Sequence, residues 1–143
     1  MRPHPYVRAY MAGIAVPTVF LIVVVSVATF LVYSEASGQY LIGFPARPLE
    51  RVIIFPMAVV PNLWGAWNMV HLALRSRVRV PLGLHGALLP LVLGPTGILL
   101  ARAFGLFTIE LPLAFALAPI GMAVYYLAWK YLVGSLNDEL GIG

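Results

Sequence analysis

The sequence of 143 residues has no cysteine and few charged side chains. Without cysteine the chain forms no disulfide bond, no thiolate metal site and no cysteine nucleophile. Charged residues account for 10% of the sequence and hydrophobic residues for 62%, whereas a water-soluble domain carries about 25% charged residues. The composition therefore excludes an ordinary soluble protein and predicts an all-α integral membrane protein.

Four apolar stretches are each long enough to cross a hydrocarbon core of about 30 Å, which requires about 20 helical residues. We predict a single transmembrane domain of residues 1–143, with helices at about 10–32, 52–74, 81–101 and 111–133 and an outer loop at 34–51. The short links after the second and third helices favour an up-and-down bundle. Proline inside a helix removes a backbone hydrogen bond and kinks the helix. All four predicted helices contain it: Pro17; Pro56 and Pro61; Pro90 and Pro95; Pro112 and Pro119.

The basic residues are divided unevenly between the two sides of the predicted bundle. Cytoplasmic loops of membrane proteins carry an excess of lysine and arginine. Six of the nine basic residues lie on the side of the two termini: Arg2, Arg8, Arg75, Arg77, Arg79 and Lys130. The other three are Arg47, Arg51 and Arg102. The N- and C-termini are therefore predicted to be cytoplasmic, and the expected location is a bacterial inner (plasma) membrane.

The net charge of +4 also bears on partners. Because the basic residues adjoin apolar spans, their expected partner is the anionic headgroup layer of the lipid bilayer, and no nucleic acid is expected. The RSRVR turn contains no acidic residue, and Arg75, Arg77 and Arg79 are the predicted lipid-headgroup contacts. Small residues are abundant in the short helices, which predicts a homo-oligomer or a larger membrane complex.

The second predicted helix carries an unusual set of polar and aromatic residues in the stretch VVPNLWGAWNMVHLALRSR, residues 59–77. With 100° between successive residues, Trp64, Asn68 and His71 share one face, whereas Asn62 and Trp67 flank it. Polar side chains in a bilayer turn toward the bundle interior or a wet cavity. His85 of the third helix and Tyr125 of the fourth are expected at a similar depth. The predicted ligand-binding residues are Trp64, Asn68, His71, His85, Tyr125 and Asn62.

Three kinds of chemistry bear on this polar face: catalysis, metal binding and cofactor binding. No catalytic residue is predicted, because the four helices contain no Asp or Glu and an acid–base enzyme would depend on a histidine alone. No metal site is predicted, because two histidines without a deep carboxylate leave a metal short of ligands. No cofactor is expected either, and a b-type haem ligated by His71 and His85 is the alternative.

These observations leave three hypotheses for function. The favoured one is a small polytopic membrane protein that binds or transports a small neutral or amphipathic molecule through the polar face of the second helix. The alternative is an accessory or structural subunit that docks this face on a larger membrane complex. The third is a membrane enzyme that uses a histidine at the membrane interface.

Overall fold

The computed structural model describes residues 3–34, 40–41, 44–45, 49–103 and 111–143, with side chains at 3–27, 59–99, 102 and 112–143. The elements in chain order are α1 (Pro5–Ser34), β1 (Tyr40–Leu41), β2 (Phe44–Pro45), α2 (Leu49–Leu74), α3 (Leu82–Ala87), α4 (Leu89–Ala103), α5 (Leu111–Leu127), a π-helical segment (Ala128–Val133) and α6 (Gly134–Glu139). β1 and β2 form one short antiparallel pair. The rest of the regular structure is helical, as the composition predicts.

The protein is an integral membrane protein by the length and apolarity of its helices. Three stretches are long and apolar enough to cross a membrane: Pro5–Val27, Leu82–Leu99 and Pro112–Glu139. Large apolar side chains on α1 and α5, such as Phe20 and Phe115, are mostly exposed and suit contact with lipid. α2 has 26 residues, but its side chains are described only from Val59 onward. The count of four spans and the cytoplasmic side of the termini remain predictions, and most of the predicted outer loop lies outside the described residues.

Two glycines allow α1 and α2 to pack at backbone contact distance. A Cβ atom at Gly13 would lie 2.6 Å from the carbonyl oxygen of Trp64 and 2.8 Å from the Cα of Gly65. A Cβ atom at Gly65 would lie 2.5 Å from the ring of Tyr10. Glycine is therefore required on both sides of this contact, which is how membrane helices approach closely. The contact fixes the position of the polar face of α2 against α1.

The third predicted helix is divided at Leu88 into α3 and α4. Pro90 lacks the N–H that would bond to the carbonyl of Gly86, and its ring disfavours a continuous helix at that level. The chain instead makes tighter bonds, from the Leu88 N–H to the His85 oxygen at 3.3 Å and from the Leu91 N–H to the Leu88 oxygen at 3.1 Å. At this break the His85 carbonyl oxygen accepts a side-chain hydrogen bond, from the Trp67 indole N–H, in addition to the Leu88 N–H.

The fourth helical stretch, which consists of α5, the π-helical segment and α6, changes from α-helix to π-helix after Leu127. In a π-helix the hydrogen bonds join residues i and i+5, so successive side chains are separated by a smaller angle about the axis than in an α-helix. Trp129, Val133 and Asn137, which are spaced by four residues along this stretch, are all buried. Trp129 fits against Gly86 of α3, where a Cβ atom would lie 2.0 Å from the Trp129 ring. The core is formed by Trp64, Leu89, Trp129 and Val133.

The two ends of the described chain meet on one side of the protein. The tail, residues 140–143, turns at Gly141, whose φ of 66° favours glycine. The Arg8 guanidinium of α1 donates to the carbonyl oxygen of Leu140. The Arg75 guanidinium, just after α2, donates to the carbonyl oxygen of Ile142 at 2.6 Å. The tail therefore joins the ends of α1 and α2.

Candidate functional site

Asn68 lies at a three-helix junction. Its side chain is 1% exposed, and its Nδ2 donates to the Ala9 carbonyl oxygen of α1 and to the Asn137 Oδ1 of α6, both at 2.8 Å. The Asn137 Nδ2 donates back to the Asn68 Oδ1 at 3.2 Å. Both amide hydrogens of Asn68 are therefore used within the chain. The role of Asn68 in ligand binding stays a prediction, and its observed role is to join α1, α2 and α6.

Trp67 and His85 form a reciprocal pair between α2 and α3. The Trp67 indole N–H donates to the His85 carbonyl oxygen at 2.9 Å, and the His85 Nε2 lies 3.1 Å from the Trp67 carbonyl oxygen. A carbonyl oxygen only accepts, so Nε2 must carry the proton. The two rings are also stacked, with centroids 4.9 Å apart. A neutral His85 keeps its Nδ1 as an acceptor.

His71 and His85 come together as the sequence predicts from their depth. Their ring centroids are 4.9 Å apart, and the rings are tilted by 53°. His85 is buried, whereas His71 is half-buried. Within the described parts of the chain, no group of three or more His, Cys, Asp or Glu side chains is placed to hold a metal ion. Haem ligation by the two histidines stays the untested alternative of the sequence analysis.

Trp64, Tyr125 and Trp129 form an aromatic cluster between α2 and the fourth helical stretch. The ring centroid of Trp64 lies 4.9 Å from that of Tyr125 and 5.4 Å from that of Trp129. Trp64 is 5% exposed and Trp129 0% exposed. Both indole N–H groups are buried, and neither has an acceptor of good hydrogen-bond geometry among the residues that the structure describes. Leaving a buried donor unpaired costs about 1–3 kcal/mol.

Asn62 lies apart from the other predicted site residues. It is exposed, and its Oδ1 accepts a hydrogen bond from the Tyr10 hydroxyl of α1. The structure therefore divides the six predicted ligand-binding residues into four places: the aromatic cluster with Trp64 and Tyr125, the histidine pair, the Asn68 junction, and the Asn62 contact with α1.

The sequence reasoning omitted Trp67, Trp129 and Asn137 from the site. The sequence predicts Trp67 beside the polar face, and in the structure that flank faces α3 and the carbonyl oxygen of His85. Asn137 lies beyond the predicted end of the fourth helix at residue 133, but it follows Val133 and Trp129 at intervals of four residues. That repeat is a signal for one continuous buried stripe.

The arginines predicted to bind lipid headgroups are all exposed. Arg75 is partly engaged by the tail through the Ile142 carbonyl oxygen. Contact of Arg75, Arg77 and Arg79 with lipid headgroups remains a prediction.

The site is thus a set of intramolecular contacts, in which two buried indole donors have no acceptor among the described residues. Comparison of the chain with protein-family models, with curated proteins and with solved structures finds no match.

Proposed function

We propose that this protein binds a small neutral or amphipathic molecule at the aromatic cluster on the polar face of α2. The observation that carries the proposal is the Trp64 indole N–H, which is buried and has no acceptor in the described part of the chain. Buried donors in folded proteins are nearly always paired, so an orphan donor in the core calls for an explanation. An oxygen or nitrogen acceptor on a bound molecule would pair it.

The surroundings of Trp64 suit such a molecule. Tyr125 is half-buried and forms the more accessible wall of the cluster. The aromatic rings offer apolar contact area, and the phenol and the indole offer convergent polar groups, as ligand sites usually do. The described helices contain no acidic side chain near the cluster that would pair with a cation. A neutral head with an acceptor, joined to an apolar body, fits this combination best.

The alternative of an accessory subunit is less well supported by the geometry. That hypothesis has the polar face of α2 dock on a partner, which requires Asn68 to be accessible. Asn68 is instead covered by Asn137 of the same chain. A partner protein that docks on the outward apolar faces would be detected in the experiment described next.

The decisive experiment compares two tryptophan variants purified from their own membrane and examined by native mass spectrometry. Trp64→Phe keeps most of the ring and removes the unpaired donor. Trp67→Phe is the matched control, because its indole already donates to the His85 carbonyl oxygen. We expect a small molecule that copurifies with the wild type and with Trp67→Phe, and whose apparent affinity falls about 2- to 12-fold in Trp64→Phe, as loss of one hydrogen bond implies.

Without ligand, Trp67→Phe should be less stable than Trp64→Phe. Trp64→Phe removes an unpaired buried donor, so its free energy of unfolding should be unchanged or higher. Trp67→Phe breaks a made bond and should lose about 0.5–1.5 kcal/mol. If no small molecule copurifies with the wild type, or if Trp64→Phe retains it as well as the wild type does, binding at the cluster is wrong. Copurification of a protein partner in place of a small molecule would support the subunit hypothesis.

A further inference from the structure

A second candidate site lies on the lipid-facing side of the protein, between α4 and α5. The two helices leave a groove of about 360 Å³ there. Its walls are almost entirely apolar and include Pro90, Gly94, Ile98, Ala114, Phe115 and Ala118. A Cβ atom at Gly94 would have nothing within 4 Å, so this glycine faces open space. The groove shares none of its residues with the aromatic cluster and is independent of the function proposed above.

One charged side chain, Arg102, lines one end of the groove. Arg102 is exposed, and no hydrogen bond or ion pair joins it to any residue that the structure describes. Pro90 at the other end precedes it by twelve residues, or about 18 Å along a helix at 1.5 Å per residue. Half of a hydrocarbon core of about 30 Å is about 15 Å. The groove is therefore about as long as one leaflet is thick, and the positive charge of Arg102 lies at the end of the groove nearer the membrane surface.

We propose that this groove binds an anionic phospholipid from the leaflet opposite to the chain termini, with one acyl chain between α4 and α5 and the phosphate on Arg102. Apolar contacts alone add little free energy to the binding of the acyl chain, since the lipid tails elsewhere in the bilayer are equally apolar. Selectivity comes from the headgroup, because a guanidinium binds a phosphate through charge and paired N–H donors. A basic residue near the membrane surface favours an anionic lipid about fivefold, equivalent to about 1 kcal/mol.

The variant that fills the groove is Gly94→Leu. Because the space around Gly94 is open, the new side chain occupies the groove rather than the protein core. Gly121→Leu is the matched control: it lies on α5, a Cβ atom there also has nothing within 4 Å, and it does not line the groove. Arg102→Gln removes the charge at an exposed helix end and is not expected to disturb folding.

The test is a native mass spectrometry competition between phosphatidylglycerol and phosphatidylcholine with identical acyl chains, added to delipidated protein in detergent. We expect the wild type and Gly121→Leu to retain one phosphatidylglycerol with about a fivefold preference. At this site Arg102→Gln should lose the preference for phosphatidylglycerol, and Gly94→Leu should retain one lipid fewer than the wild type. Circular dichroism spectra and melting curves establish that each variant is folded.

Two results would overturn the proposal. One is an unchanged preference in Arg102→Gln, which would assign the selectivity to arginines on the opposite side of the membrane. The other is equal lipid retention by the wild type and Gly94→Leu, which would indicate non-specific annular lipid only. Neither result bears on the Trp64 experiment, so the two sites are tested separately.

Discussion

Replacement of Asn68 by leucine is the most informative test of the interior of this protein. Leucine has a similar volume and suits the bilayer, so the change removes polarity rather than bulk. It deletes the bonds from Asn68 Nδ2 to the Ala9 and Asn137 oxygens and the return bond from Asn137 Nδ2. It also leaves the Asn137 amide buried without a partner.

The expected loss can be estimated from the three bonds. Hydrogen bonds between membrane helices average about 0.6 kcal/mol each, which gives about 2 kcal/mol in total. The unpaired amide of Asn137 adds about 1–3 kcal/mol. The single change Asn68→Leu should therefore cost about 3–5 kcal/mol of unfolding free energy. Asn137→Leu breaks only the two bonds within the pair and should cost less, because Asn68 keeps its bond to the Ala9 oxygen.

The double variant isolates the coupling between the two asparagines. With both amides replaced, no buried amide is left unpaired, so the combined cost should fall below the sum of the single costs by at least about 1 kcal/mol. The assay is reversible unfolding in mixed detergent micelles, followed by tryptophan fluorescence. Thr96→Val is a control, because the Thr96 hydroxyl bonds within its own helix, to the Val92 oxygen at 2.6 Å.

Two outcomes would refute this account of the junction. The first is a loss in Asn68→Leu no larger than that in Thr96→Val, which should stay within about 0.5 kcal/mol of the wild type. The second is strict additivity of the two asparagine variants, within about 0.3–0.5 kcal/mol. Either would mean that Asn68 and Asn137 do not stabilise one another, and that the amide of Asn68 is free to serve a ligand.

Three further changes test other parts of the fold. Gly13→Ala places a Cβ atom 2.6 Å from a backbone oxygen of α2, so we expect a loss of about 1–3 kcal/mol, measured by thermal unfolding in micelles. Arg75→Gln removes the contact with the tail and should speed hydrogen exchange at the Ile142 amide, read by mass spectrometry; unchanged exchange would show that the other tail contacts suffice. The purified protein should have no haem absorption band, and a band abolished by alanine at either His71 or His85 would establish the haem alternative.

Composition was enough to predict the class of this protein, because the need to bury backbone polar groups in a bilayer permits little besides helices. Helical geometry also placed Trp64 and Asn68 inward, where the structure finds them buried. Both inferences depend only on composition and on the regular geometry of a single helix, which can be read from the local sequence.

The partners of those residues could not be predicted in the same way. The π-helical segment at Ala128–Val133 is not indicated by the sequence pattern, because a fixed 100° rotation describes only an α-helix. The break at Leu88 similarly turned a carbonyl toward Trp67, so a residue at the flank of the polar face gained a specific partner. The pairing of Asn68 with Asn137 depends on how distant parts of the chain pack. No local pattern encodes that packing.

The Asn68 junction has a consequence for the order of events during synthesis. Asn137 follows Asn68 by 69 residues, and at about 5–20 residues per second the ribosome reaches it about 3–14 s later. Throughout that interval Asn68 resides in a partly assembled membrane protein without its final acceptor and donor. Until α6 is made, Asn68 has only its bond to the Ala9 oxygen, so the junction is completed only when Asn137 supplies the other two bonds.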